Sequence, residues 1–200
     1  MNFEFSLAEV LERLVPGTFL IVIGAYILQL DLSYFAAGDA KFIVSVVAFC
    51  FAYAAGTALN IVGSFLKLDN KNYWNGDDKH IAKIREAVQE YFKTETTERS
   101  WKLCYGVCHK NGYTVKSELF SRLNVFCRSM ALCLLLLVLL ATCIMVTNRT
   151  LSAKYIWVFW LLGTGALIFA YGARLYSRAF IGSIYEGFNS YYCSLPSRQL

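Results

Sequence analysis

The sequence contains little charge and almost no proline. Only 16% of the 200 residues are Asp, Glu, Lys or Arg, well below the usual quarter, and two are proline. These shortages exclude an intrinsically disordered chain, a collagen and a proline-rich linker. Hydrophobic residues make up 57% of the chain, and they are grouped in blocks rather than spread periodically. We therefore expect an integral membrane protein.

The residue combinations typical of enzyme active sites are also lacking. The sequence shows no nucleophile beside a base, no paired carboxylates and no glycine-rich phosphate loop. Cys104 and Cys108, with His109 adjacent and His80 upstream, are residue types that bind zinc, but a second ligand pair is missing. We predict a non-enzymatic protein with no catalytic residue, no metal site and no cofactor.

Four apolar blocks approach the length that a membrane-spanning helix needs, about 20 residues across ~30 Å of hydrocarbon. The predicted spans are residues 15–30, 42–66, 125–146 and 155–171. The middle of each span contains no Asp, Glu, Lys or Arg, which disfavours a pump or a proton relay. The predicted fold class is an all-α integral membrane protein with four transmembrane helices.

The organisation around these spans predicts three segments. Residues 1–66 contain the first two spans, and residues 67–124 form a polar, basic insert. Apolar residues at helical spacing predict a helix over 81–93 in the insert, and a second short helix is expected over about 98–108. Residues 125–200 contain the last two spans, and the final helix is expected to continue to about residue 192 because no proline interrupts it.

A short helix is predicted before the first span. Ser6 and Glu9 fit a capping box, and an apolar face follows them. We expect this helix to end at Pro16 and Gly17, where the span begins. Two alternatives remain open: the helix lies in the membrane interface, or it extends the span.

Lysine and arginine are unevenly distributed along the chain. Eleven lie in 67–124 and three in the C-terminal tail, whereas the two loops 31–41 and 147–154 together hold three. Cytoplasmic segments carry the excess of Lys and Arg, so both termini and the insert are expected in the cytoplasm. The net charge of +5 then reflects topology, and we expect no direct nucleic-acid binding.

Small residues recur along one face of the second span. Gly56, Asn60 and Gly63 are spaced i, i+4 and i+7, which predicts a face that contacts another helix rather than lipid. Similar stripes occur in the first and fourth spans. The predicted seam residues are Gly24, Ala52, Gly56, Asn60, Gly63, Ala166 and Ala170. The seams fit packing within one four-helix bundle, or contacts between subunits of a homo-oligomer.

Aromatic residues recur every four positions after the fourth span, beside two arginines. Together with the apolar face of the insert helix, they predict a cytoplasmic surface that binds a soluble protein. The predicted docking residues are Tyr91, Phe92, Arg174, Arg178, Phe180 and Phe188.

Arg128 lies about one turn into the third span. We expect it to extend toward the inner headgroups, as long cationic side chains do near the ends of membrane helices. A packing partner on the fourth helix or a contact with a lipid phosphate is the alternative.

The plan of four spans, a cytoplasmic insert of 67–124 and cytoplasmic termini resembles the small membrane proteins of bacterial defence operons, in particular the transmembrane subunit of the Kiwa anti-phage system. The resemblance is architectural, and no motif transfers a functional residue. It implies a homo-oligomeric sensor in the bacterial inner membrane that recruits a cytosolic effector. The alternative is an oligomeric pore that depolarises the membrane.

Overall fold

The computed structural model describes residues 7–30, 41–65, 79–93, 100–148 and 153–195. All regular secondary structure in these residues is helical. The six helices are α1 (Leu7–Ile27), α2 (Lys41–Phe65), α3 (Lys79–Phe92), α4 (Ser100–Lys110), α5 (Val115–Asn148) and α6 (Ala153–Ser194). Helices α1, α2, α5 and α6 are long and apolar enough to cross a membrane. The predicted all-α membrane fold with four spanning helices is confirmed.

The chain divides into two compact units. Unit 1 comprises residues 1–68 and 125–173, and unit 2 comprises 69–124 and 174–200. The first two boundaries lie close to those expected at 66 and 124. The last part of the chain differs from the expected grouping, because residues 174–200 belong to the same unit as the insert rather than to the pair of spans before them.

Unit 1 has an apolar core and an apolar surface. Its core is formed by Ile27, Leu59, Leu132, Cys133, Leu134, Leu137, Ala141 and Leu162. Large apolar side chains also lie on the outside: Phe65 and Trp157 are 76% and 78% exposed. Soluble monomers rarely expose contiguous apolar surface of this kind, whereas a bilayer solvates it.

Helix α1 continues through Pro16. The predicted helix end at Pro16 and Gly17 is therefore wrong, and the segment before the span extends it. Pro16 is buried, and its carbonyl accepts a hydrogen bond from the Cys133 thiol at 3.4 Å. The backbone bond that Pro16 removes is the one to the carbonyl four residues earlier, and membrane helices tolerate such a proline because nearby groups can satisfy the carbonyl.

Unit 2 contains α3, α4, the beginning of α5 and the end of α6. The predicted helix over 81–93 is confirmed as α3, and its apolar face is buried at Ile81, Ile84 and Val88. The last helix was expected to continue to about residue 192, and α6 confirms this by ending at Ser194.

The connection between α4 and α5 is a tight turn. Gly112 has a φ of +77°, a value that glycine adopts without strain. The amide of Tyr113 donates to the carbonyl of Cys108 at 2.8 Å, which closes the end of α4 in the manner of a Schellman motif. The Thr114 hydroxyl then bonds to the Glu118 carboxylate at 2.9 Å in the first turn of α5.

Candidate functional site

The backbones of α1 and α2 approach each other closely in unit 1. A methyl group on Gly17 would overlap the carbonyl of Ala52, and one on Gly56 would overlap the carbonyl of Arg13. Hydrogen is the only side chain that fits at either position. The Arg13 guanidinium donates to the Tyr53 hydroxyl at 2.9 Å beside this contact. Sequence reasoning did not include Arg13 or Tyr53 in the seam, because nothing in the sequence pairs them.

The predicted seam residues of α2 pack against helices of the same chain. Ala52 and Gly56 lie against α1, and Gly63 lies against the Arg128 side chain of α5. In α1, Gly24 faces Leu137 of α5. Packing within one chain, one of the two alternatives left open by the sequence, therefore accounts for these positions.

The seam residues of α6 are less enclosed. Ala166 packs at the edge of the unit 1 core, and Ala170 is half-buried. Their neighbour Leu167 is 74% exposed. This part of α6 combines small and large apolar side chains on the accessible surface of unit 1.

A polar pair joins α2 near its C-terminal end to the middle of α5, so the packing partner of Arg128 lies on the second span and not on the fourth helix. Arg128 Nη2 donates to the Asn60 side-chain oxygen at 3.0 Å. The Cγ, Cδ and Nε atoms of Arg128 lie over Gly63, where a methyl group would come within 3.1–3.5 Å of them. Asn60 therefore has a partner, as expected for an amide in an apolar segment, and that partner is the one cation inside the predicted third span.

The core of unit 2 contains residues that were predicted to bind a partner. Phe188 is fully buried, 5.5 Å from the stacked ring of Phe92 and 5.4 Å edge-to-face from Tyr91. The prediction that Phe188 is a docking residue is wrong, because α3 and α4 already cover that face of α6. Phe180 is half-buried against Trp101, at 5.7 Å.

The opposite face of α6 in unit 2 is open. Arg174 and Arg178 are exposed as predicted, and Leu175 between them is 53% exposed. Beside them, α5 and α6 border a groove of about 350 Å³ lined by Lys116, Phe120, Leu175, Arg178, Ala179, Gly182, Ser183 and Glu186. We call this the α5–α6 groove. Lys116 and Glu186 form an exposed ion pair across it at 3.4 Å.

Sequence reasoning missed most of this groove. It followed the aromatic series that contains Phe180 and Phe188, and this series leads into the core of unit 2. A second series with the same four-residue spacing contains Arg174, Arg178, Gly182 and Glu186. The three charged members are exposed, and Gly182 between them is buried. The charged residues at both ends of this series, Arg174 and Glu186, were the signal in the sequence for an exposed face.

Two thiols are enclosed in unit 2. Cys104 and Cys108 are fully buried, and the Cys108 thiol lies 3.5 Å from the carbonyl of Ile184. Burial, and then the nearby Cys108, raise the pKa of Cys104 to about 12, and burial raises the pKa of Cys108 to about 11. Thiols held neutral in this way are poor nucleophiles and poor metal ligands. Within the described residues, no group of three or more His, Cys, Asp and Glu is placed to hold a metal ion.

Comparisons with protein-family models, with curated protein sequences and with solved structures find no match for this chain.

Proposed function

We propose that the protein is a non-enzymatic membrane scaffold whose unit 2 recruits a soluble partner through the α5–α6 groove. One observation carries the proposal: an exposed leucine, Leu175, lies between two exposed arginines beside an apolar groove. Protein interfaces commonly combine an apolar centre with a charged rim. The partner that matches this surface presents an apolar side chain surrounded by carboxylates.

The proposed location of the partner is the cytoplasm. The eleven Lys and Arg residues of 67–124 favour a cytoplasmic position for the insert, because positive charge is retained on that side of the membrane. Unit 1 supplies the anchor, with four candidate spans and an apolar surface.

The biological setting that we propose is bacterial anti-phage defence in the inner membrane. This part rests on the architectural resemblance to the membrane subunit of the Kiwa system. In that setting the scaffold responds to infection at the envelope and recruits a cytosolic effector. Self-association through the part of α6 where Leu167 is exposed, beside the half-buried Ala166 and Ala170, would provide the homo-oligomer.

Co-purification tests the docking surface. The double variant Arg174→Glu and Arg178→Glu reverses both charges beside Leu175. We expect a soluble protein that co-purifies with the wild type to be reduced at least tenfold in this variant, measured by quantitative mass spectrometry. The control Lys83→Glu with Lys93→Glu changes the net charge equally at exposed positions on or beside α3, and it should retain the partner. Equal recovery in all three proteins would refute docking at this surface.

Phage plating tests the setting separately. Phages are expected to form fewer plaques on cells that carry the wild-type gene with its natural neighbours than on cells in which the same genes include the Arg174→Glu, Arg178→Glu variant. If the gene has no effect on any phage while partner recovery remains, the scaffold survives and the defence role is wrong.

A further inference from the structure

We propose that Arg128, positioned by Asn60 and Gly63, binds the phosphate group of an anionic membrane lipid. The proposal is independent of partner docking, because all three residues belong to unit 1. It assigns a ligand to the one arginine of the predicted third span. The ligand chemistry is a phosphate oxygen that accepts hydrogen bonds from the guanidinium.

The charge of Arg128 is incompletely compensated within the chain. Its hydrogen bond to Asn60 engages Nη2 with a neutral acceptor. Nε is buried and has no hydrogen-bond partner, and no described carboxylate forms an ion pair with the guanidinium. A partly buried cation without an anion is unfavourable, and a phosphate would supply the missing negative charge.

The side chain is held in place but remains accessible. Gly63 leaves space for the Arg128 stem to lie against α2, and a methyl group there would come within 3.1 Å of it. Arg128 as a whole is only partly buried, and Nη1 is not among the enclosed atoms. The guanidinium can therefore meet a ligand from outside the chain while Asn60 fixes its orientation.

The position along α5 suits a lipid headgroup. Residues 129–146 after Arg128 are almost entirely apolar, and 18 residues at ~1.5 Å each extend about 27 Å, close to the ~30 Å thickness of the hydrocarbon layer. Asn60 and Gly63 lie near the C-terminal end of α2, which ends at Phe65. A guanidinium at the end of such an apolar stretch lies at the depth of the phosphates.

Lipid titration with native mass spectrometry tests the proposal on the full-length protein in detergent. Phosphatidylglycerol carries the phosphate, and diacylglycerol has the same chains without it. The wild type should bind phosphatidylglycerol in preference to diacylglycerol. Arg128→Gln should weaken phosphatidylglycerol binding about tenfold, or about 1.4 kcal/mol, because the charge-assisted hydrogen bonds to the phosphate are lost. Lys83→Gln on α3 of unit 2 removes one positive charge at an exposed position and should bind like the wild type.

Two further arms complete the test. In the first arm, inorganic phosphate is added as a competitor. If it displaces phosphatidylglycerol and binds the wild type as tightly as the lipid does, the ligand of this site is free phosphate rather than lipid. Arg128→Lys keeps the charge but loses the planar fork, so we expect a preference at least threefold weaker than that of the wild type. This variant decides the question if Arg128→Gln does not fold. An equal affinity of the wild type for both lipids, or an unchanged preference in the folded Arg128 variants, would overturn the proposal.

Discussion

At single residues, the absence of a side chain at Gly17 and Gly56 permits the backbones of α1 and α2 to touch. In a bilayer, apolar surface provides little drive for helices to associate, because lipid chains are as apolar as leucine. Close backbone contact and hydrogen bonds such as that from Arg13 to Tyr53 hold the helices together instead. A single methyl group at these glycines therefore matters more than a large change on the lipid-facing surface.

We predict that Gly56→Val destabilises the protein by about 1–3 kcal/mol, the usual range for overpacking. The added side chain would overlap the Arg13 carbonyl, and backbone cannot move aside as a flexible side chain can. Thermal unfolding in detergent measures the effect. The control is Gly163→Ala, because nothing lies within 4 Å of a methyl group at that position. Equal melting temperatures for the two variants would contradict the close approach.

The buried thiols give a prediction with a defined pH dependence. The folded-state pKa values of Cys104 and Cys108, about 12 and about 11, lie above the usual value of 9.0 because burial opposes the thiolate. Their contribution to stability is complete below pH ~9 and is lost as the pH rises toward 11 and 12, since the unfolded state releases these protons first. Unfolding measured from pH 8 to 11 should show this loss, and replacing both cysteines with alanine should flatten it.

Alkylation at pH 8 provides an independent measurement on the same thiols. A pKa of about 11 instead of 9.0 lowers the thiolate fraction of Cys108 about a hundredfold. Cys108 and Cys104 should therefore react with iodoacetamide much more slowly than the exposed Cys193. Comparable alkylation rates for all three cysteines in the folded protein would mean that the reagent reaches the core of unit 2, which would contradict the burial of Cys104 and Cys108.

At the scale of elements, helix periodicity was sufficient to predict α3 but not what covers it. Ile84 and Val88 face inward because they recur on one side of the helix, and the sequence shows this spacing directly. The same spacing in α6 predicted an apolar face containing Phe188, correctly. That α3 and α4 would cover this face depends on contacts between segments far apart in the chain, which no local pattern encodes.

We predict that Ile84→Ala lowers the stability of unit 2 by about 2–5 kcal/mol, the range for truncating a fully buried isoleucine. Hydrogen exchange over α3 and α4 should accelerate accordingly. Gln89→Ala lies on the exposed side of the same helix and should leave exchange unchanged. Identical protection in the two variants would place Ile84 outside the core.

At the scale of the whole molecule, the chain combines an apolar unit suited to lipid with a smaller unit that has its own aromatic core. The distribution of Lys and Arg favours one orientation in the membrane. The docking proposal depends on that orientation. The side of the membrane on which each loop lies can be measured directly.

We predict that a cysteine at position 110 faces the cytoplasm and one at position 152 faces the outside. In a cysteine-free background, a membrane-impermeant maleimide should label Ser152→Cys in intact cells, and Lys110→Cys only after permeabilisation. The reverse pattern would exclude a cytosolic partner for unit 2.

The sequence by itself determined that this is a helical membrane protein, because a bilayer requires every backbone polar group in it to be bonded within a helix or a closed barrel, and only helix-length apolar blocks are present. Only the tertiary structure decided which surfaces remain free. It buried Phe188, left Leu175 exposed, and joined Arg128 to Asn60 across 68 residues of sequence. The physical reason is that the spacing of residues along a helix defines its faces, whereas the element that covers each face depends on how distant segments pack.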